Sequence, residues 1–171
     1  MRINDVRSKM KNAMITLLRK KNYLQITVTD LVAEAGVARA SFYRVYTSID
    51  KVLDDVYSDI KERLVSRFVP SLLNKDTEAL REQIIDFLNQ IKAKEYPTIS
   101  VLPENRQFML PKFESQFVNY KDSQFKNIND KFKIPAALLL IYYSSIIWSY
   151  YDYVESVDEV ADYILDRIYL F

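Results

Sequence analysis

Residues 26–46 read Ile26-Thr27-Val28-Thr29-Asp30-Leu31-Val32-Ala33-Glu34-Ala35-Gly36-Val37-Ala38-Arg39-Ala40-Ser41-Phe42-Tyr43-Arg44-Val45-Tyr46. Thr27 is a capping hydroxyl followed three residues later by the acid Asp30, a capping-box-like start for a short helix that carries Leu31, Val32 and Ala35. That helix must stop at Gly36, the only glycine of the chain. A lone glycine just before a second helical run, Arg39 to Tyr46, fits a tight turn of positive φ, where any side chain adds strain. Two short helices joined in this way form a helix-turn-helix. An ordinary helical hairpin fits the same spacing equally well.

Upstream, Val6, Met10, Ala13, Met14, Leu17 and Leu18 follow one face of a helix from Ile3 to Lys20. Cations close its last turn, and Asn22 suits its C-terminal cap. Downstream, Ile49, Val52, Leu53, Val56, Tyr57, Ile60, Leu64 and Phe68 mark a long amphipathic helix, capped by Ser48 and halted near Pro70. It is long enough to link two modules rigidly. Leu80, Ile84, Phe87, Leu88 and Ile91 define a further helix between Asp76 and Lys94. Residues 95–111 hold Pro97, Pro103 and Pro111 without a clean period and read as loop, with at most a short helix after Pro103. Phe113, Phe117 and Tyr120 point to a helix beginning at Pro111 or Lys112, and Phe125 and Ile128 either continue it or start another. Pro135, at a first-turn position, is expected to open an uncharged helix running to about Glu155. Val157, Val160, Ala161, Ile164, Leu165, Ile168 and Tyr169 then give a strongly periodic final helix.

The composition agrees with an all-α fold. One glycine and five prolines leave a sheet-rich chain without its turn residues and exclude a Gly-rich phosphate loop. Cysteine and histidine are both absent, which removes disulfides, Cys or His metal sites, thiol nucleophiles and histidine general bases. No cofactor is implied. With 171 residues, 49% of them hydrophobic and 27% charged, the chain can bury a real core. Met1 to Lys11 alternates charged and apolar residues, unlike a signal peptide, so a cytoplasmic protein is expected. Ile134 to Tyr151 carries no charge and reaches the lower length limit of a membrane span. Its proline, serines and dispersed tyrosines favour a buried helix, and no membrane partner is expected.

Net charge is only +1, but its distribution is uneven. Residues 1–51 carry ten Lys/Arg against four Asp/Glu, a balance of +6, and the remaining 120 residues balance at −5. One end attracts polyanions, as when a small nucleic-acid-binding module is joined to a larger non-binding one. A merely solubilising basic N-terminus explains the same asymmetry equally well. The best boundary is near residue 47, giving a helix-turn-helix domain over 1–47 and a helical domain over 48–171. The last two helices carry more apolar surface than one small domain readily covers, so a second copy of the chain is the economical cover.

The capped second helix, the Ala35-Gly36-Val37 turn, Ser41-Phe42-Tyr43 and the aromatic Tyr46, with a first helix of the right length, closely resemble the DNA-binding signature of the TetR family of bacterial transcription regulators. The resemblance covers about residues 3–56. Beyond them, only helix order and the two-helix C-terminal end look similar. It implies an N-terminal three-helix DNA-binding domain. It also implies an all-helical C-terminal domain that dimerises through its last two helices and often encloses a small-molecule pocket, here for a small apolar or aromatic effector. The implied activity is regulation of transcription, most simply repression from a near-palindromic operator in double-stranded DNA.

In that frame the third helix enters the major groove. Arg39 and Tyr43 are candidates for base or groove contacts, Arg44 for phosphate or guanine, and Ser41 for either base or phosphate. Thr27, Thr29 and Tyr46 are candidate phosphate anchors, a role that helix N-termini favour. Phe42 should pack inward, with Leu31, Val32, Ala35 and Val37 in the core. Tyr43 and Tyr46 also suit simple packing, and Arg44 a solvated helix charge. Ala38 stands where the family usually has a capping serine, a loss of about 1 kcal/mol. Ile49 stands where a phosphate-reaching lysine is common, and Lys51, half a turn later, is the nearest residue to take that place. Phe108, Phe113, Phe117, Tyr142, Tyr143, Trp148 and Tyr151 could wall a pocket, but aromatics at helical spacing are more often core.

Two other functions compete. Ala38 and Ile49 motivate an interaction protein that keeps the fold with weakened DNA binding. A helical enzyme using paired carboxylates among Asp152, Glu155, Asp158 and Glu159 is the weaker alternative, because acids in early helix turns already have a dipole role.

Overall fold

The computed structural model describes residues 2–93, 105–118, 120 and 125–170, with 106–110 and 118 described through their backbone only. The expectations for Pro97 and Pro103, and for the Phe108 side chain, lie outside the described residues. Among the described residues the chain forms eight α-helices, one 3-10 turn and no strand. The helices are α1 (Ile3–Leu18), α2 (Val28–Ala35), α3 (Arg39–Val45), α4 (Ile49–Asn74), α5 (Thr77–Lys92), α6 (Arg106–Val118), α7 (Ile128–Tyr150) and α8 (Val157–Leu170). The all-α architecture expected from one glycine is the one observed. Two compact units result: one gathers Met1–Ile60 with Ser100–Phe113, the other Lys61–Ile99 with Glu114–Phe171.

In the first unit α1 packs against α2 and α3. Its buried face is the one set by the apolar spacing, Val6, Met10, Ala13, Met14, Leu17 and Leu18. Leu31, Phe42, Val52, Leu53 and Tyr57 complete the core. Phe42 is fully buried, a contribution of about 1.5–3 kcal/mol over leaving its ring in water. Of the four residues assigned to the core around the turn, only Leu31 is fully buried, and Val32, Ala35 and Val37 are half-buried. Eight residues of helix are too short to hide both flanks of the turn.

Gly36 adopts φ +62 and ψ +41, the left-handed conformation expected of it, and its N–H and that of Val37 close the end of α2 on Ala33 and Val32 carbonyls. A Cβ there would meet nothing within 4 Å, so conformation and not space demands glycine. Asn22 does not cap α1. It is extended, and its side chain accepts from the Leu24 N–H to start the 3-10 turn Tyr23–Gln25. The carbonyls it was expected to serve are taken by Asn105, whose Nδ2 donates to Leu18 at 2.8 Å and to Lys21 at 2.9 Å.

In the second unit α5 packs against α7 and α8, and α7 against α8. Phe68 and Phe87 meet edge to face with centroids 5.6 Å apart. Ile134, Ala137, Leu138, Ile141, Tyr142 and Ile146 are buried, so the core reading of α7 has physical content. By length and composition alone α7 could cross a membrane.

The three prolines expected to bound helices lie inside them. Pro70 sits within α4, Pro111 within α6 and Pro135 within α7. An interior proline costs about 3 kcal/mol. At α4 the Pro70 ring is exposed while Phe68, Val69 and Ser71 around it are buried, and continuing the helix keeps that face covered. The helix stops instead at Lys75, which takes φ +55, with the Asp76 N–H reaching back to the Ser71 carbonyl at 3.0 Å. The start of α7 is fixed seven residues before Pro135 by Asn127, whose side chain accepts from the Asp130 N–H at 3.0 Å. Its end comes at Tyr150, not Glu155. Asp152 and Tyr153 turn left-handed, and the Trp148 indole N–H donates to the Glu155 carbonyl at 3.0 Å.

Candidate nucleic-acid interface

The second helix begins where the hydroxyl and acid were expected to place it. Thr27 Oγ1 accepts from the Asp30 N–H at 3.1 Å, and Asp30 Oδ2 accepts from the Thr27 N–H at 2.8 Å. Asp30 also accepts from Lys21 Nζ at 2.8 Å, a link to the end of α1. These bonds, Lys21 first and Thr27 next, hold the carboxyl below its usual range, at about 2. Helix geometry leaves the N–H groups of the first turn aimed outward, and the capping box consumes only part of them. Thr27 and Thr29 are both exposed at this end.

Helix α3 divides cleanly into two faces. Phe42 is fully buried and Tyr46, just past the helix, is 4% exposed. Opposite them, Arg39, Ala40, Tyr43 and Arg44 are exposed, and Ser41 lies half-buried at the margin. Tyr43 keeps 55% of its surface in water while its ring stands edge-on to Phe42, with centroids 5.1 Å apart. Arg39 reaches across the turn: one Nη donates to Thr29 Oγ1 at 3.0 Å and the other to the Tyr43 hydroxyl at 3.2 Å. Among the described residues neither Arg39 nor Arg44 has a carboxylate partner. Ala38 occupies the capping position of α3 and supplies no side-chain bond, as its methyl requires.

Thus Thr27, Thr29, Arg39, Tyr43 and Arg44 share an exposed region at the start of α2 and on α3. Tyr46 stands apart from them. Its hydroxyl donates to Asp55 Oδ2 at 2.8 Å and its ring lies 5.2 Å from the Arg7 guanidinium carbon. Burial first, and then the bond to Asp55, push that hydroxyl above its ordinary pKa. Lys51 is exposed at the start of α4, with Nζ 3.1 Å from Asp54.

Behind this surface lies a polar framework that local pattern does not reveal. Asn105 is fully buried, and its Oδ1 accepts from the Tyr23 N–H at 2.6 Å while its amide holds the end of α1. Lys112 Nζ bridges Asp50 at 3.2 Å and Asp54 at 3.0 Å. A bond from the Tyr23 hydroxyl is the main influence holding Asp50 below its usual range. At Asp54, partial burial opposes ionisation, but the bonds from Lys112 and Lys51 outweigh it and keep the carboxyl low. Arg7 pairs with Asp55 at 2.7 Å and Lys11 with Asp59, fastening α1 to α4. Asparagine and lysine some eighty and sixty residues from their partners give no periodic or motif signal.

Two of the four carboxylates considered for catalysis have structural partners. Asp158 binds Arg81 at 2.8 Å, and Glu159 closes a capping box with Ser156. Of the aromatics considered for a pocket wall, Phe113, Phe117, Tyr142 and Trp148 are buried, Tyr143 is half-buried and Tyr151 is exposed.

No family model matches the chain. Over 101 residues it is 28% identical to an HTH-type transcriptional regulator of Bacillus subtilis (strain 168), YxbF, a match that spans 59% of this chain and 24% of that protein. Among solved structures it is similar to a TetR transcriptional regulator from Streptococcus agalactiae 2603V, with TM-score 0.62 and 20% identity over 97% of this chain and 94% of that one. It is also similar to NalD, the secondary repressor of the MexAB-OprM multidrug efflux pump in Pseudomonas aeruginosa. There the TM-score is 0.61 and the identity 14%, over 97% of this chain and 94% of NalD. A TetR-family regulator from Streptomyces coelicolor matches with TM-score 0.53 and 12% identity, over 98% and 80% of the two chains.

Proposed function

We propose that this chain, which has the fold of TetR-family transcription regulators and is similar to such regulators, is a dimeric DNA-binding repressor. The observation that carries the reading is α3 itself. Its Phe42 is buried beneath it, and Arg39, Tyr43 and Arg44 stand in solvent with no carboxylate among the described residues to neutralise the two cations. A guanidinium can bond guanine O6 and N7 as a pair, and Thr27 and Thr29 lie at a helix N-terminus suited to phosphate. Ser41 and Lys51 flank this set at the margin of α3 and the start of α4. We place the DNA-binding domain at 1–47 and the regulatory and dimerising domain at 48–171.

The dimer is supported by apolar side chains left in water on the last two helices and their turn. Ile147, Val154, Tyr163 and Leu170 are exposed there, a surface that a second copy would cover. Two symmetric heads then require a near-palindromic operator. A small apolar or aromatic effector that binds one head spacing better than the other releases the DNA. The protein works in the cytoplasm.

Fluorescence anisotropy with duplexes selected from a random pool tests the reading. Affinity must fall steeply with salt, and Arg39→Ala and Arg44→Ala must each weaken it. If neither substitution changes affinity or sequence preference, the assignment of α3 is wrong. The uncapped start of α3 at Ala38 favours one competing reading, an interaction protein with weakened DNA binding. Failure to select any duplex at low salt would decide for it. Sedimentation velocity tests the dimer, with a monomer at micromolar concentration as the contrary result.

A further inference from the structure

Arg39 is joined to two hydroxyl groups and, among the described residues, to no carboxylate. One lies on α2 and one on its own helix: Thr29 Oγ1 at 3.0 Å and the Tyr43 hydroxyl at 3.2 Å. Its guanidinium carbon is also 5.7 Å from the Tyr43 ring centroid, within cation-π range. Tyr43 in turn leans edge-on against the fully buried Phe42. An exposed arginine ordinarily samples many rotamers, and this one is gripped from two sides by groups whose backbones belong to packed helices.

The chemistry of the grip leaves the arginine available. A guanidinium has five N–H donors and two are used here, so three remain for an external acceptor. Both hydroxyls accept from Arg39 and therefore keep their own hydrogens for donation elsewhere. A carboxylate in place of Thr29 would neutralise the charge. A hydroxyl orients it and leaves it intact.

We propose that Thr29 and Tyr43 are positioning residues for Arg39: they clasp its guanidinium in one orientation across the helix-turn-helix and so fix which base it reads. The inference rests on the proposed DNA-binding function and deepens it. Thr29 then acts through Arg39, beyond any phosphate contact of its own. Ordering a free arginine on binding costs the equivalent of about tenfold in affinity, and the clasp removes part of that cost beforehand.

The test is a double-mutant cycle on a duplex selected by the wild-type protein, using Thr29→Val, Arg39→Ala and the pair. Valine keeps the shape of threonine at an exposed site, so folding is preserved. Thr29→Val should weaken binding about three- to tenfold and broaden the preference at the base step that Arg39→Ala also relaxes. Its effect should be clearly smaller in the Arg39→Ala background, where only a phosphate contact of its own is left to lose, and Thr29→Ser should restore wild-type behaviour. Equal losses in both backgrounds would make Thr29 an independent phosphate anchor and overturn the proposal.

A readout without DNA separates this claim from the DNA reading. Arg39 guanidinium rotation, followed by nitrogen-15 NMR in the free protein, should be slow in the wild type and fast in Thr29→Val and Tyr43→Phe. Fast rotation in the wild type overturns the clasp whether or not DNA binds. Slow rotation in a protein that selects no duplex leaves the clasp standing, overturns the DNA function, and with it the positioning role.

Discussion

Replacing Asn105 by leucine should destabilise the first unit by about 2–4 kcal/mol, although the new side chain is apolar, similar in size and fully buried. Asn105 makes three bonds: to the Leu18 carbonyl, to the Lys21 carbonyl and from the Tyr23 N–H. Each buried polar group left without a partner costs about 1–3 kcal/mol. Leu18 is fully buried, and its carbonyl bears the full cost. Lys21 and Tyr23 are half-buried, so water recovers part of theirs, which is why the total stays below the sum of three full penalties. Asn105→Asp should be worse at neutral pH, because it loses both N–H donors and sets a charge against two carbonyl oxygens. Urea unfolding followed by far-ultraviolet circular dichroism measures the loss, and amide exchange at Tyr23 locates it. An unshifted midpoint together with retained protection at Tyr23 would refute the account of Asn105 as the cap of α1.

Gly36→Ala meets open space, so it should cost only the left-handed strain of an L-residue, about 1–2 kcal/mol in chemical denaturation, and a neutral result would mean the turn had changed. Asp30, lowered from 3.8 to about 2 in the folded chain, contributes stability that is fully present above pH 3.8 and lost as pH falls through 2. Carbon-13 NMR titration of its carboxyl should give a midpoint near 2 that rises in Lys21→Met, and a wild-type midpoint near 3.8 would contradict the capping geometry. Tyr46→Phe removes one bond to Asp55 and should cost about 1 kcal/mol of stability while leaving operator affinity within twofold. A tenfold loss of affinity without a loss of stability would return Tyr46 to the phosphate anchors.

What could be read from the chain was whatever is decided within a turn or two of backbone. Thr27 with Asp30, and Gly36 before a second helix, are short-range choices with large local consequences, and both appear with the geometry their chemistry demands. Asn127 three residues before Asp130 is an equally good starting signal for α7, consistent with a helix starting at Ile128, while Pro135 is the stronger-looking signal in the sequence. The prolines misled for one reason. Their cost of about 3 kcal/mol is local, and the reward for continuing a helix is the burial of side chains such as Phe68 and Val69 that only the tertiary structure specifies. Asn22 turns its side chain to the Leu24 N–H, and Asn105, eighty-three residues away, bonds the Leu18 and Lys21 carbonyls at the end of α1.

The candidate site shows the same division between local and distant causes, here in its charge. Counting residues 1–51 gives a surplus of six cations, but several of those cations are paired in the folded chain. Arg7, Lys11 and Lys51 are paired with Asp55, Asp59 and Asp54, acids that lie beyond residue 51 and so never entered the count. Lys21 is spent on Asp30. Exposed pairs of this kind add little stability, about 0–1 kcal/mol each, yet each removes a cation from the long-range field. What distinguishes α3 is therefore not that the surrounding segment is basic. Its two arginines are exposed and, among the described residues, have no carboxylate partner, while Arg7, Lys11, Lys21 and Lys51 do. Specific recognition needs that contrast more than it needs total charge, since phosphate attraction is shared by every sequence and only side chains that keep donors available for base edges can tell one duplex from another.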